Sequence, residues 1–388
     1  MNRRLKTALI HSALFIVTFI TTTIAGSFWT AGASIFSDTG INTAYSWADF
    51  QSGMAYSITF LAILTVHEFG HYFTAMYHRV KATLPYYIPL PPIPLSLGSL
   101  GALIRIKSRI HSKAQNFDIG IAGPLAGFIL ALIALAYGFA VLPEPEYIFS
   151  IHPEYAKFGL DYAQHVYTKE YLGEIPDVIV GNNLLFWMFE NFFADPARVP
   201  NHHELTHFPI LYAAFWSLVF TSINLLPIGQ LDGGHVLYGL IGFKRHKWIA
   251  SVIFCLFLFY ATLGMLVPGE EMNVLGLFTA PHYASIVLMV ALLFFCLKGL
   301  RQSSTTTMLI AVAIFTAEYA ITFFFPKVTG YSGWLLFAML IGRMMPVAHP
   351  PTEIEEPLTT GRKILGWIAL VIFVLCWTPR PIDILIGS

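Results

Sequence analysis

The chain is a succession of long apolar runs separated by short polar stretches. An apolar run of about 20 residues matches a helix that crosses the hydrocarbon core of a bilayer. Nine segments qualify: about 7–25, 53–77, 117–142, 208–228, 247–267, 283–300, 307–325, 332–348 and 364–378, the last two being short. The first has an alternative reading as a secretory signal, because Arg3, Arg4 and Lys6 precede an apolar stretch that ends in small residues, although the run is long for that role. Two segments break the pattern. Residues 83–106, TLPYYIPLPPIPLSLGSLGALIRI, hold five prolines, which forbid a helix, and 99–106 alternates as a strand does. Such backbone survives at membrane depth only where protein or water satisfies it. Residues 143–207 are polar, carry aromatics and lack low-complexity tracts, so a small folded extracytoplasmic cap is expected. The predicted fold is an all-α polytopic membrane protein of about nine transmembrane helices with one short membrane-associated β segment. It divides into a first helix and loop (1–52), a membrane core bearing the cap (53–267) and additional C-terminal helices (268–388).

Composition agrees. Of 388 residues 56% are hydrophobic and only 11% charged, less than half the roughly 25% of ordinary soluble domains. Disorder needs the opposite balance. The 22 Lys+Arg equal the 22 Asp+Glu and no basic face stands out, which argues against a nucleic-acid partner. Cys255, Cys296 and Cys376 lie far apart in apolar runs, so neither a disulfide framework nor a thiolate zinc site is supported.

Loop charge sets an orientation. Basic residues gather at the N-terminus, at 78–116 (Arg79, Lys81, Arg105, Lys107, Arg109, Lys113), at Lys244, Arg245 and Lys247, and at Lys298 and Arg301. The 26–52 loop has no Lys or Arg, the 143–207 loop is mainly acidic (Glu144, Glu146, Glu154, Asp161, Glu170, Glu174, Asp177), and Glu270 and Glu271 form an acidic pair. The alternation puts the N-terminus inside and the C-terminus outside, with Lys327 and Arg380 as minor exceptions. A bacterial cytoplasmic membrane is the expected location.

The strongest chemical signal is His67-Glu68-Phe69-Gly70-His71 in the second apolar run. On a helix, residues i and i+4 share a face, so two imidazoles can hold one metal with the glutamate beside them. Ionisable groups inside a span are costly, which argues against a chance match. A second match, His203-Glu204-Leu205-Thr206-His207, lies in the polar loop between Pro200 and Pro209. Pro209 suits a helix start, which leaves the histidines on irregular chain, and no acidic third ligand stands out; a chance match or a weak surface metal site is expected. A catalytic zinc takes three protein ligands and keeps a fourth position open. Asp232, in NLLPIGQLDGGH (224–235), is the candidate third ligand, since the second and fourth apolar runs both head inward. Asn224 lies in an apolar run, as an interhelical hydrogen bonder or as an amide that holds substrate or the developing oxyanion. His235 reads as a turn cap or a partner of the metal ligands.

HEFGH, GIAGPLAGF (120–128) and NLLPIGQLDGGH, in this order, resemble the site-2 proteases, intramembrane zinc metalloproteases. The Pro-rich lead-in and SLGSLGALIRIKS look most like the branch of the plastid ethylene-dependent gravitropism-deficient proteins and their bacterial relatives. The resemblance covers about 60–265. It implies one zinc ion on His67, His71 and Asp232, Glu68 as general base and Asn224 as the family's active-site asparagine. It further implies that the strand near 99–106 presents a transmembrane protein substrate in extended form near the active site, with Gly98 and Gly101 permitting close backbone approach. GPLAG reads as helix-packing surface in preference to direct contact with substrate. No PDZ segment is seen. The expected activity is hydrolysis of peptide bonds within or near transmembrane segments. A metal-ion transporter and an inactive membrane scaffold are the alternatives.

Overall fold

The computed structural model describes residues 3–37, 40–93, 96–173, 177–269, 272–274 and 278–385. Glu174, Glu270 and Glu271, which entered the charge argument, lie outside these residues. Each apolar segment contains a helix: α1 (Arg3–Ala31), α2 (Met54–Tyr77), α3 (Lys113–Ala140), α4 (Pro209–Asn224), α5 (Asp232–Thr262), α6 (His282–Leu297), α7 (Ser304–Phe324), α8 (Leu335–Met344) and α9 (Thr360–Cys376). The principal strands are β1 (Tyr86–Pro89), β2 (Ser99–Leu103), β3 (Asp177–Val180) and β4 (Ile382–Leu385).

Among the described residues four helices are long and apolar enough to cross a membrane, over Leu5–Ala31, Lys113–Ala140, His282–Leu300 and Ser304–Phe324. The apolar Pro209–Asn224 and Ser332–Met344 are shorter. In α2, His67, Glu68 and His71 dilute the apolar run. Two boundaries differ from expectation. The fourth run stops at Asn224, ahead of Pro227, and α5 begins at Asp232, well before 247. The basic stretch Lys244–Lys247 is therefore helical, after a break at Gly242 (φ 76°, ψ 171°).

The chain forms two compact units. The first comprises Met1–Ile110, Ile121–Asn224 and Val371–Ser388. In it α1 packs on α2, with the Thr22 and Ser57 hydroxyls 2.6 Å apart. The proline-rich segment folds as an antiparallel hairpin of β1 and β2, pairing Tyr86 with Leu103, Tyr87 with Ala102 and Pro89 with Ser99. The strand-like reading of 99–106 holds for 99–103, and its partner β1 was not foreseen. Side chains of α1 satisfy the carbonyls of this stretch. His11 donates to Pro85 O (2.9 Å), Thr21 to Gly98 O (2.7 Å) and Trp29 to Ser96 O (2.8 Å). Protein satisfies the irregular backbone, as backbone away from water requires.

The 143–207 loop is a folded cap, as its composition suggests. Ile148, Tyr155 and Val166 form a small apolar core under Phe149, Phe158 and Tyr162. A nine-residue helix spans Leu184–Phe192, capped by Asn183. The cap strand β3 pairs antiparallel with the C-terminal strand β4, Val178 opposite Ile384 and Val180 opposite Ile382.

The second unit comprises His111–Gly120 and Leu225–Leu370. Arg362 forks onto Asp118 with two contacts of 2.7 Å. Glu318, in α7, is buried and accepts a hydrogen bond from Thr262 (2.6 Å). In both units apolar side chains face outward along whole helices, among them Leu9, Ile16 and Ile20 of α1 and Leu309, Val312 and Phe323 of α7.

Candidate metal centre

The α2 sequence MAYSITFLAILTVHEFGHYF has no proline and continues as one helix through its polar residues. Three and four residues apart on a helix, side chains stack on one face. His67, Glu68 and His71 are all buried, and the Nε2 atoms of the two histidines lie 3.0 Å apart. Two nitrogens each about 2.0–2.1 Å from a tetrahedral ion stand about 3.3 Å apart, so the pair is close to the spacing one metal requires.

The neighbouring chain is shaped around these rings. A Cβ built on Gly123 would lie 2.1 Å from His71 Nε2, and one on Gly127 would lie 3.0 Å from His67 Cβ. Gly70 in turn approaches Ala122, where a Cβ would meet its carbonyl oxygen at 2.6 Å. GPLAG thus is the helix-packing surface expected of small residues at spacing four, and what packs there is the HEFGH face. From α4, the amide nitrogen of Asn224 reaches to 3.4 Å from His67 Nε2. Beside them lies a cavity of about 20 Å³ lined by Phe60, His67, Gly127, Ser217, Thr221 and Asn224. That is room for about one water, with polar groups to hold it.

In the second unit Asp232 is the first residue of α5. The turn before it depends on glycine. Gly229 has φ +59°, and a Cβ on Gly233 would lie 1.8 Å from Leu225 O. His235, one turn into α5, has Nδ1 at 2.8 Å from His349 Nε2, and Asn116 Nδ2 is 2.8 Å from the same nitrogen. His349 Nδ1 lies 2.5 Å from Pro350 O, an acceptor only. Nδ1 of His349 therefore carries its proton, Nε2 accepts, and His235 donates from Nδ1. The ring of Tyr238 stacks on His349 at 4.2 Å and 8°. His235 belongs to a network and is not merely a turn cap. Asn116 and His349 were not singled out from the sequence; a histidine between prolines in PVAHPP was the available signal.

The sequence pattern of the family described as Peptidase family M50 matches residues 55–261, which include all three motifs. This chain belongs to peptidase family M50. Among curated proteins the M50 chain is similar to "Probable zinc metalloprotease EGY1, chloroplastic" of Arabidopsis thaliana, 29% identical over 198 residues, 51% of this chain and 31% of the relative. The protein of the same name in Oryza sativa subsp. japonica is 29% identical over 192 residues, 50% of this chain and 29% of the relative. "Probable zinc metalloprotease EGY2, chloroplastic" of Oryza sativa subsp. indica is 27% identical over 203 residues, 52% and 32%. These bear out the resemblance, including its branch. The match spans about a third of the length of these relatives. No solved structure matches the chain.

The two glycines of the M50 hairpin play different parts. Gly98 (φ +76°) is pressed against α1, where a Cβ would lie 2.4 Å from Thr21 O. The backbone it admits here is that of α1. Gly101 (φ +105°) has nothing within 4 Å of an added Cβ. In β2, Leu100 and Leu103 are exposed, and among the described residues β1 is the strand paired with it.

The second histidine motif does not reproduce the first. Leu205–His207 is a single 3-10 turn and α4 starts at Pro209, so the two histidines diverge as expected. His203 Nδ1 donates to Asp177 (2.5 Å), and its ring stacks on Tyr167 at 3.8 Å. Glu204 is buried, and the Tyr167 hydroxyl donates to its Oε1. Burial, reinforced by the Glu204 charge, pushes the Tyr167 phenol well above its ordinary value, so it stays protonated as that donor. His207 turns to His152, across the cap, instead of to His203. A weak surface site on His203 and His207 is not what forms.

Proposed function

We propose that this chain is an intramembrane zinc metalloendopeptidase that cleaves membrane-protein substrates within or near their transmembrane segments. The observation that carries the reading is the buried pair of His67 and His71, their Nε2 atoms converging on one point beside Asn224 and a cavity the size of a water molecule. Two imidazoles with a carboxylate neighbour fit zinc by donor chemistry. His67 and His71 would hold the ion, with Asp232 as the third ligand that the family resemblance implies; the name "zinc metalloprotease" carried by the relatives supports zinc as the metal. Bound zinc supplies Lewis acidity to a water and to the scissile carbonyl. Glu68 takes a proton from the attacking water at its carboxylate and returns it to the leaving amine. Asn224 offers its amide N–H groups to the substrate oxygen.

A transmembrane helix hides its carbonyls in internal hydrogen bonds, so it must open before attack. Strand β2 would take the opened segment by strand addition, with Gly101 admitting its backbone. The outward apolar faces of α1 and α7 support a bilayer environment, since water would not tolerate such surfaces. We place the N-terminus on the cytoplasmic side of a bacterial inner membrane, with nine crossings. Loop charge supports this, and so does the pairing of β3 with β4, which demands an even number of crossings between the cap and the C-terminus. Six helices, α4 to α9, lie between them.

The test is a survey of membrane-protein fragments in cells that make wild-type protein or Glu68→Gln. The fragments should disappear in the variant while purified protein keeps its zinc. Identical fragment sets would overturn the protease reading, and metal transport unaffected by Glu68→Gln would favour a transporter.

A further inference from the structure

The cap brings together three groups that the HEFGH chemistry does not use. His152 Nε2, His207 Nε2 and Glu204 Oε2 form a nearly equilateral triangle with sides of 3.3, 3.3 and 3.5 Å. A point about 2.0–2.1 Å from all three atoms exists, which is the bond length of zinc to imidazole nitrogen and carboxylate oxygen.

The surrounding hydrogen bonds fix which electron pairs meet there. His207 Nδ1 lies 2.9 Å from Thr30 O, an acceptor only, so Nδ1 carries the proton and Nε2 presents its lone pair. His152 Nδ1 lies 3.2 Å from Glu154 Oε1, a carboxylate, and by the same reasoning presents Nε2. Glu204, with 3% of its side chain exposed, has Oε1 occupied by Tyr167 and turns Oε2 to the triangle. Three electron-rich atoms converge on one point. A proton between them would bridge one edge, whereas a divalent cation satisfies all three. Outer partners of this kind, a carbonyl and a carboxylate behind the imidazoles and a hydroxyl behind the carboxylate, are those of metal ligands. Glu204 also lines a cavity of about 290 Å³, together with Ile148, Tyr162, Arg198, Asn201 and Phe208.

We propose that His152, Glu204 and His207 form a second divalent metal site in the cap, of zinc class, separate from HEFGH and independent of whether the chain is a protease. Its ion would tie the start of the cap at His152 to its end at His207, and through the bond to Thr30 to the end of α1. The donor set, two imidazoles and one carboxylate, suits zinc and disfavours calcium or magnesium, which prefer oxygen.

The full chain, purified in detergent and dialysed against zinc, is analysed for metal by mass spectrometry. His67→Ala/His71→Ala should retain one equivalent, and adding His152→Ala/His207→Ala should remove it. Tyr167→Phe, which preserves the ring packing, should weaken zinc binding to the cap by about 10- to 100-fold. His203→Ala should leave the cap equivalent in place, since His203 is bonded to Asp177. Cobalt(II) in place of zinc in His67→Ala/His71→Ala should give the intense visible bands of a tetrahedral site, which do not depend on activity. The proposal is overturned if His67→Ala/His71→Ala binds no metal while remaining monodisperse and protease-resistant. It is equally overturned if the retained equivalent survives His152→Ala/His207→Ala, or if His203→Ala removes it.

Discussion

The chain carries the pattern His-Glu-x-x-His twice, and the two copies fold into different chemistry. In α2 the helix carries the spacing into space, and His67 meets His71 at 3.0 Å. In the cap, prolines at 200 and 209 keep the second copy off a helix. There His203 pairs with Asp177, while Glu204 and His207 turn toward His152, 52 and 55 residues away in sequence. A motif of this kind is a statement about a helix, and its letters mean little once the helix is removed. What replaces it in the cap is a constellation with a carboxylate donor, which the spacing does not advertise.

The two central glutamates therefore separate the sites most sharply. Glu68→Gln should lower cleavage by about 10²–10⁴-fold, the usual worth of a general base, with both metal equivalents retained. Glu204→Gln should do the opposite to metal content, losing the cap equivalent and keeping that of His67 and His71. Metal analysis of the two variants side by side checks both. If Glu204→Gln kept two equivalents, the carboxylate would not be a ligand and the contrast would fail.

A smaller effect comes from the surface that receives the α2 histidines. Gly123→Ala puts a methyl carbon 2.1 Å from His71 Nε2, so the ring must rotate or α3 must shift. Overpacking of this degree costs about 1–3 kcal/mol. Gly123→Ala should reduce zinc content at HEFGH, with the cap equivalent untouched. Gly127→Ala, with 3.0 Å to His67 Cβ, needs a shift of tenths of an ångström and should be milder. Zinc stoichiometry at limiting metal ranks the two. Equal retention by both would mean that the glycines serve packing alone.

Much of this contrast was legible in the chain. Nine apolar runs gave the helices because a buried or lipid-facing helix needs only length and apolarity. HEFGH needed one local assumption, that α2 is continuous. GPLAG read as packing surface, though not which rings it packs. What escaped depended on distant pairings. β1 was hidden in a stretch judged by its prolines, and its partner lies ten residues on. β3 meets β4 from the far end of the chain. His349 joins His235 across 114 residues. The same limit made the second motif look empty, because its third donor, His152, lies outside it. Helix boundaries slipped where charge was taken for loop, as at Lys244–Lys247, whereas charges on the exposed side of a helix cost it nothing.

The mildest test addresses the histidine that the second motif leaves over. His203 accepts no role at the triangle, yet its ring covers Tyr167 and its Nδ1–H is donated to Asp177, which is buried. His203→Ala removes both contacts and leaves a buried carboxylate short of a donor, a loss of about 1–3 kcal/mol. Because Asp177 opens β3, the cost should fall on the pairing of β3 with β4. Hydrogen exchange should then rise at Ile179 and Gly181, whose amides lie on the β4 side of the strand, while zinc content stays at the wild-type level. His203→Gln restores a donor at similar reach and should recover part of the protection. If exchange in β3 were unchanged, His203 would be a bystander in the cap. If zinc were lost with it, the second motif would bind metal through its own two histidines, and the difference between the two copies would be one of degree.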